Sequence, residues 1–187
     1  MKRKMLMGAL MLGFGIFGHA SDLKLGDPAP VLKLKTDESA SFDLNSRKGK
    51  WTILYFYPKA DTPGCTKQAC AFRDNISQIR KLGAEIFGIS ADSVEALKKF
   101  KKNHNLNFVL LADPGLDAIK AYGTKMPGIN MSKRWTFIID PDLKIGSIEK
   151  DVDPVLDAQR VAEMLQKLQK QFRNRSRQSW LPPAMTP

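Results

Sequence analysis

A chain of 187 residues has room for one domain with a full core and is too short for two comfortable ones. Hydrophobic residues make up 43% and charged residues 26%, the balance of a soluble globular protein and not of a disordered or membrane-filling one. The formal charge of +11 admits weak attraction to polyanions, and two cysteines in all permit at most one disulfide within the chain.

The chain opens with Lys2, Arg3 and Lys4, followed by an uncharged apolar run from Met5 to Gly18. Gly18-His19-Ala20 then places small residues at the minus-three and minus-one positions before Ser21. This is the pattern of a secretory signal peptide (residues 1–20) cleaved after Ala20. The apolar run is shorter than the roughly 20 residues a membrane span requires, and no cysteine near the cleavage point could carry a lipid. An exported protein, periplasmic or secreted, is expected, with no membrane span after cleavage. Cleavage removes three basic and no acidic residues, which lowers the formal charge from +11 to +8.

Asp27 to Ala40 mixes prolines with a short alternating segment, and Ser41 to Leu44 reads as a second short strand. Trp51 to Tyr57 is the first strong signal, a β-branched and aromatic run with the content of a buried central strand, ended by Pro58. Thr62 and Pro63 open a helix, as N-cap and first helical residue, that runs to Lys81 and stops at Gly83. A strand over Ala84 to Ser90, a helix capped by Ser93 and ending at Lys102, and a strand over Phe108 to Ala112 follow. Gly115 to Tyr122 makes a short helix. Trp135 to Ile139 and Lys144 to Ile148 flank Asp140-Pro141-Asp142 as a hairpin. Pro154 begins a last long helix that fades near Arg173.

Strands alternating with helices imply a sheet covered on both faces, finished by an antiparallel hairpin edge. This is the element order of a thioredoxin-like α/β fold: a central mixed sheet flanked by helices, with an N-terminal extension. The domain is expected over residues 21–172. Residues 173–187 read as a basic, disordered tail. Lys167, Lys170, Arg173, Arg175 and Arg177 cluster from the end of the domain into this tail without acidic partners; this reads as a solvated surface with no specific nucleic-acid partner.

The two cysteines are Cys65 and Cys70. Cys65 falls in the first turn of a helix, where unpaired N–H groups and the positive end of the macrodipole favour an anion. Thiolate is the nucleophilic form, and a free thiol with pKa near 8.5 is only about 3% thiolate at pH 7. Cys65 is therefore placed to react. Five residues of intact helix separate the two Cα atoms by roughly 8.7 Å, beyond the roughly 7 Å that disulfides span. A static structural bridge would oppose its own helix, whereas a transient one requires the first turns to unwind. A zinc site would need about four ligands, and the mature chain offers two cysteines and His104. A thioredoxin-type dithiol has two residues between its cysteines, and this chain has four.

The segment Tyr55-Phe56-Tyr57-Pro58-Lys59-Ala60-Asp61-Thr62-Pro63-Gly64-Cys65-Thr66-Lys67-Gln68-Ala69-Cys70, followed by Phe72-Arg73-Asp74, resembles the active-site segment of peroxiredoxins. It is most similar to the bacterioferritin comigratory protein (PrxQ) subfamily. Pro58, Thr62 and Cys65 match the family's Pro, three residues, Thr, two residues, Cys, and Cys70 sits at the subfamily's resolving spacing. Arg134-Trp135-Thr136-Phe137-Ile138-Ile139-Asp140 resembles the segment that returns an arginine to the site. The likeness runs from about Leu25 to Leu168 and departs from the subfamily between Thr124 and Ser132.

The resemblance implies a thiol peroxidase that reduces hydrogen peroxide and organic hydroperoxides with no metal, haem, flavin or other cofactor. Cys65 would be the peroxidatic thiolate, oxidised to a sulfenic acid. Thr62 would hydrogen-bond peroxide and thiolate, Pro58 would cover the sulfur, and Arg134 would stabilise developing negative charge. Cys70 would resolve the sulfenic acid as an intramolecular disulfide. An external thioredoxin-like dithiol would reduce it, with the protein acting as a monomer. The rival readings are a general thiol–disulfide oxidoreductase, and a non-catalytic binding protein using its basic tail.

Overall fold

The computed structural model describes residues 22–179. Residues 1–20, expected from the sequence to be a signal peptide, and the chain end after Ser179 lie outside the described residues. Seven strands form one mixed sheet: β1 (Lys33–Thr36), β2 (Ser41–Asp43), β3 (Trp51–Phe56), β4 (Ala84–Ser90), β5 (Val109–Ala112), β6 (Trp135–Ile139) and β7 (Ile145–Glu149). Their spatial order is β2-β1-β5-β4-β3-β6-β7. β3, β4 and β5 run parallel, and β6, β7, β1 and β2 complete the sheet by antiparallel pairing.

Four α-helices cover it: α1 (Pro63–Lys81), α2 (Val94–Asn103), α3 (Asp117–Ala121) and α4 (Asp157–Ser179). The side chains of β3 alternate between two cores, as strand geometry requires. Ile53, Tyr55 and Tyr57 join Cys65, Ala69, Phe72, Ile76 and Ile79 of α1, Leu97 and Phe100 of α2, and Ala158, Val161 and Leu165 of α4. Leu54 and Phe56 point the other way, into a core with Phe42, Phe87, Ala118, Ile119, Tyr122 and Phe137. With both faces covered, every residue of β3 is buried.

The thioredoxin-like mixed sheet expected from the element order is present, and the expected strands fall within a residue or two of their positions. Ser93 caps α2 by accepting from the Ala96 N–H at 3.3 Å. Gly83, with φ 69°, takes the left-handed turn that ends α1. A 3₁₀ turn at Leu44–Arg47, capped by the Asp43 carboxylate, is an element the sequence reading does not contain.

Two expectations at the chain's end are corrected. The last helix is regular from Asp157, three residues after Pro154; the turn over Pro154–Leu156 that leads into it is capped by the Asp153 carboxylate, which accepts from the N–H groups of Val155 and Leu156. The helix also continues past Arg173 to Ser179, so residues 173–179 are helical and not a disordered tail. Phe172 packs edge-on against Trp51 with ring centroids 5.7 Å apart. Arg175 lies over the Phe172 ring and reaches the Asp140 carboxylate at 3.9 Å. These contacts extend the docked face of α4 beyond the apolar stripe.

Candidate active site

The site is built where the C-terminal end of β3, the first turns of α1 and the start of β6 converge. Register puts them together: β3 and β6 are antiparallel with Phe56 opposite Trp135, so the residue before β6, Arg134, returns beside the residues that follow β3. Pro58, half-buried, ends the strand, and the next residues are pinned from two sides. The Ala60 N–H donates to the Asp92 carboxylate at 2.8 Å, and Asp61 lies 2.9 Å from His104 Nε2. Asp61 takes a left-handed φ of 57° and turns the chain into α1.

Thr62 stands at the N-cap position with extended backbone, and Pro63 is the first helical residue, as the sequence indicates. Its side chain does not cap, however. The Thr62 hydroxyl donates to the Lys59 carbonyl at 2.9 Å, which closes the loop before the helix and leaves the N–H groups of the first turn without a side-chain acceptor. An uncapped helix start of this kind favours negative charge near its first turn, which contains Cys65.

Cys65 is buried, 2% exposed, and is a free thiol. Arg134 Nη2 donates to its sulfur at 3.3 Å. Cys70, also free, is half-buried on the same unbroken helix. The structure therefore joins Cys65 and Arg134 directly and holds Cys70 apart from Cys65 by continuous α-helix. Thr62 lies one turn before Cys65, its carbonyl accepting from the Thr66 N–H at 2.8 Å. The loop from Thr124 to Ser132 is an ordered closed turn. Lys125 and Ser132 pair across its base, and the Lys125 ammonium is held by the Met126 and Ile129 carbonyls. It delivers Arg134 to the sulfur.

A layer of polar groups behind Arg134 was not foreseen from the sequence. Arg134 Nη1 donates to Gln68 Oε1 at 2.5 Å; Gln68 Nε2 donates to Asp157 Oδ2 at 2.7 Å; Thr136 Oγ1 donates to the same oxygen at 2.9 Å. Gln68, Thr136 and Asp157 are all buried to 1% exposure or less. Burial pushes the Asp157 carboxyl up to about 6, with Glu149 adding to the rise and the Gln68 and Thr136 hydrogen bonds opposing it. The buried Tyr55 phenol is likewise pushed well up by burial. Gln68 could have been suspected as a lone polar residue on the stripe Cys65, Ala69, Phe72, Ile76. Asp157 carries no such signal, because an acidic residue in a helix's first turn is ordinary.

Arg73, of the segment after Cys70, donates to the His104 carbonyl at 2.8 Å and to the Asp74 carboxylate, tying α1 to the end of α2. Among the described residues no group of three or more His, Cys, Asp or Glu side chains could hold a metal ion. No described helix is long and apolar enough to cross a membrane.

Comparison with known proteins agrees with this geometry. The AhpC/TSA family model matches residues 25–148. Peroxiredoxin Bcp of Bacillus subtilis is 41% identical over 152 residues, 78% of this chain and 95% of that protein. Peroxiredoxin Bcp of Escherichia coli is 38% identical over 135 residues, 69% of this chain and 86% of that one. The crystal structure of peroxidoxin BcpB from Mycobacterium tuberculosis superposes with a TM-score of 0.72 at 29% identity, covering 78% of this chain and 97% of that one. A PrxQ variant from Xylella fastidiosa gives 0.74 at 26% identity, covering 79% and 98%. With a reactive-cysteine turn, a returning arginine and these relatives, the chain belongs to the AhpC/TSA family, among its Bcp/PrxQ peroxiredoxins, and is a thiol peroxidase.

Proposed function

We propose that the protein reduces hydrogen peroxide and organic hydroperoxides by a two-cysteine cycle within one chain. The observation that carries this reading is the Arg134 guanidinium 3.3 Å from the Cys65 sulfur at the start of a helix that also bears Cys70.

In the first step the Cys65 thiolate attacks one peroxide oxygen and the O–O bond breaks. Sulfur is oxidised to a sulfenic acid, and the departing hydroxide or alkoxide takes a proton and leaves as water or alcohol. Arg134 sits where it can hold the thiolate and stabilise charge developing on the departing oxygen. Thr62 supplies a hydroxyl one turn away, once it exchanges the Lys59 carbonyl for peroxide. Pro58 covers the strand end and limits water.

In the second step the Cys70 thiolate attacks the Cys65 sulfenic sulfur, the S–O bond breaks, the departing hydroxide takes a proton and leaves as water, and a disulfide forms. The unbroken helix would separate the Cα atoms by roughly 8.7 Å, so the turns between Pro63 and Ala71 must unwind first. A dithiol of thioredoxin type then reduces the disulfide and is itself oxidised. The protein works as an exported monomer, and residues 1–20 are its cleaved signal.

Peroxide consumption with a reduced dithiol tests the cycle. Wild type should turn over, Cys65→Ser should be inert, and Cys70→Ser should oxidise once and stop. Arg134→Ala should slow the first oxidation by about 10² to 10³. Full turnover by Cys70→Ser would replace this cycle with a one-cysteine mechanism.

A further inference from the structure

Asp157 belongs to the first turn of α4, far along the chain from both cysteines, and it takes no part in the chemistry just described. Its carboxylate is 1% exposed, yet both groups it binds through Oδ2 belong to the active-site elements: Gln68 on α1 and Thr136 on β6. The partners dictate the Gln68 orientation. A guanidinium only donates and a carboxylate only accepts, so the amide must turn its oxygen to Arg134 and its nitrogen to Asp157. With that oxygen fixed, Arg134 is held by one nitrogen and presents the other to Cys65.

We propose that Asp157 is a positioning residue for Cys65, which through Gln68 both aims Arg134 at the sulfur and latches the first turns of α1 in their helical form. The inference rests on the two-cysteine reading above and adds to it a control point outside the reacting atoms. Gln68 lies between Cys65 and Cys70. The turns that must unwind to form the disulfide therefore carry the residue that Asp157 grips. The same hydrogen bond that favours attack on peroxide opposes resolution.

Other charges face the carboxyl from each packed element. Arg134 precedes β6, Glu149 lies on β7 and the Tyr55 phenol on β3, while the neutral Gln68 donates from α1. Arg160, Glu163 and Lys167 share with Asp157 and Glu149 the lining of a cavity of about 230 Å³ between α4 and the sheet. Removing the Asp157 charge thus also changes the field at Arg134, so charge and hydrogen bonding must be separated. Asn keeps an oxygen acceptor for Gln68 and Thr136 and carries no charge; Ala keeps neither.

The test measures two rate constants on full-length protein reacting with hydrogen peroxide. Rapid quenching with an alkylating agent and mass spectrometry follow Cys65 oxidation, and loss of free Cys70 follows disulfide formation. Asp157→Ala should oxidise Cys65 about tenfold more slowly and close the disulfide several-fold faster, because a misaimed positioning group slows reaction while a released latch frees the helix. Asp157→Asn should oxidise within about threefold of wild type and resolve at its rate. In a Gln68→Ala background, Asp157→Ala should change each rate by no more than the charge-only effect read from Asp157→Asn, since the rest travels through Gln68. If Asp157→Ala does not fold, Asp157→Ser, too short to reach Gln68, takes its place.

Opposite movement of the two rates with rescue by Asn is what a purely structural carboxylate would not produce. Equal oxidation rates in wild type and Asp157→Ala, or an Asn variant as slow as Ala, overturn the proposal. Wild type that never forms the Cys65–Cys70 disulfide overturns the underlying cycle instead, and is told apart because no variant need be compared.

Discussion

Gly64 lies directly beneath Arg134: a Cβ on Gly64 would stand 3.2 Å from Arg134 Nη2, the nitrogen that donates to Cys65. Glycine in a helix is unfavourable by roughly 0.5–1 kcal/mol relative to alanine, so its presence in the first turn of α1 has a local reason. The space above it holds the guanidinium.

Gly64→Ala therefore separates stability from activity. The substitution should hold or raise the melting temperature through helix propensity, while lifting Arg134 by a few tenths of an ångström and slowing Cys65 oxidation several-fold. Thermal melting and the rate of Cys65 reaction with hydrogen peroxide check both halves. Unchanged reactivity would mean that Arg134 adjusts freely and that its spacing is not critical.

Asp157 makes stability depend on pH in a definite direction. The folded protein holds the Asp157 proton up to about 6, against an ordinary value of 3.8, chiefly because the carboxyl is buried. At this one group the folded state thus binds more protons than the unfolded chain between about pH 4 and 6, and the Asp157 contribution to stability falls as pH rises through that window. The full effect is about 3 kcal/mol. Asp157→Asn cannot ionise, so its stability relative to wild type should climb across the same window and level off above it. Denaturant unfolding of the two proteins at several pH values measures the difference. A difference that stays flat with pH would show that Asp157 titrates in its ordinary range.

Much of this arrangement was legible in the sequence, and the parts that were not share a cause. The strand ending at Pro58 and the helix opening at Thr62-Pro63 are local signals, written in side-chain alternation and backbone restriction. Arg134 was reached by resemblance, and the sheet register explains why it arrives. Gln68 and Asp157 stand 89 residues apart, and their pairing depends on how α4 docks across α1, a tertiary fact that no local pattern carries. The end of α4 is hidden from local patterns for the same reason: Phe172 against Trp51 and Arg175 over Phe172 sustain a helix that composition alone assigns to a charged tail.

The backbone of β4 passes so close to Tyr55 that a Cβ on Gly88 would fall 2.5 Å from the Tyr55 hydroxyl oxygen and 2.6 Å from its ring. Gly88→Ala should destabilise the protein by about 1–3 kcal/mol, as overpacking of a closed core does. The Tyr55 hydroxyl has no hydrogen-bond partner. Tyr55→Phe should consequently be neutral or stabilising by up to about 1 kcal/mol. Chemical denaturation of both variants tests the pair, and a marked loss in Tyr55→Phe would reveal a polar role for that hydroxyl.

Disulfide formation should leave a mark on the helix. Closing Cys65 to Cys70 removes the hydrogen bonds of α1's first turns, so amide exchange across Gly64 to Ala71 should be faster in the oxidised protein. Residues from Phe72 to Lys81, anchored by Phe72, Ile76 and Ile79 in the core, should keep their protection. Equal protection of Gly64 to Ala71 in both redox states would point to a disulfide between two chains, and with it away from a monomer.

The division of labour between the two cysteines is most directly read from mass. Cys70→Ser treated with one equivalent of hydrogen peroxide should gain a single oxygen, located on Cys65 by a sulfenic-acid-specific label. Wild type under the same treatment should instead lose two hydrogens, with Cys65 and Cys70 joined in one peptide. A label found on Cys70 in a Cys65→Ser protein at comparable speed, or no oxidation of Cys65 at all, would contradict the assignment of Cys65 as the residue that meets peroxide.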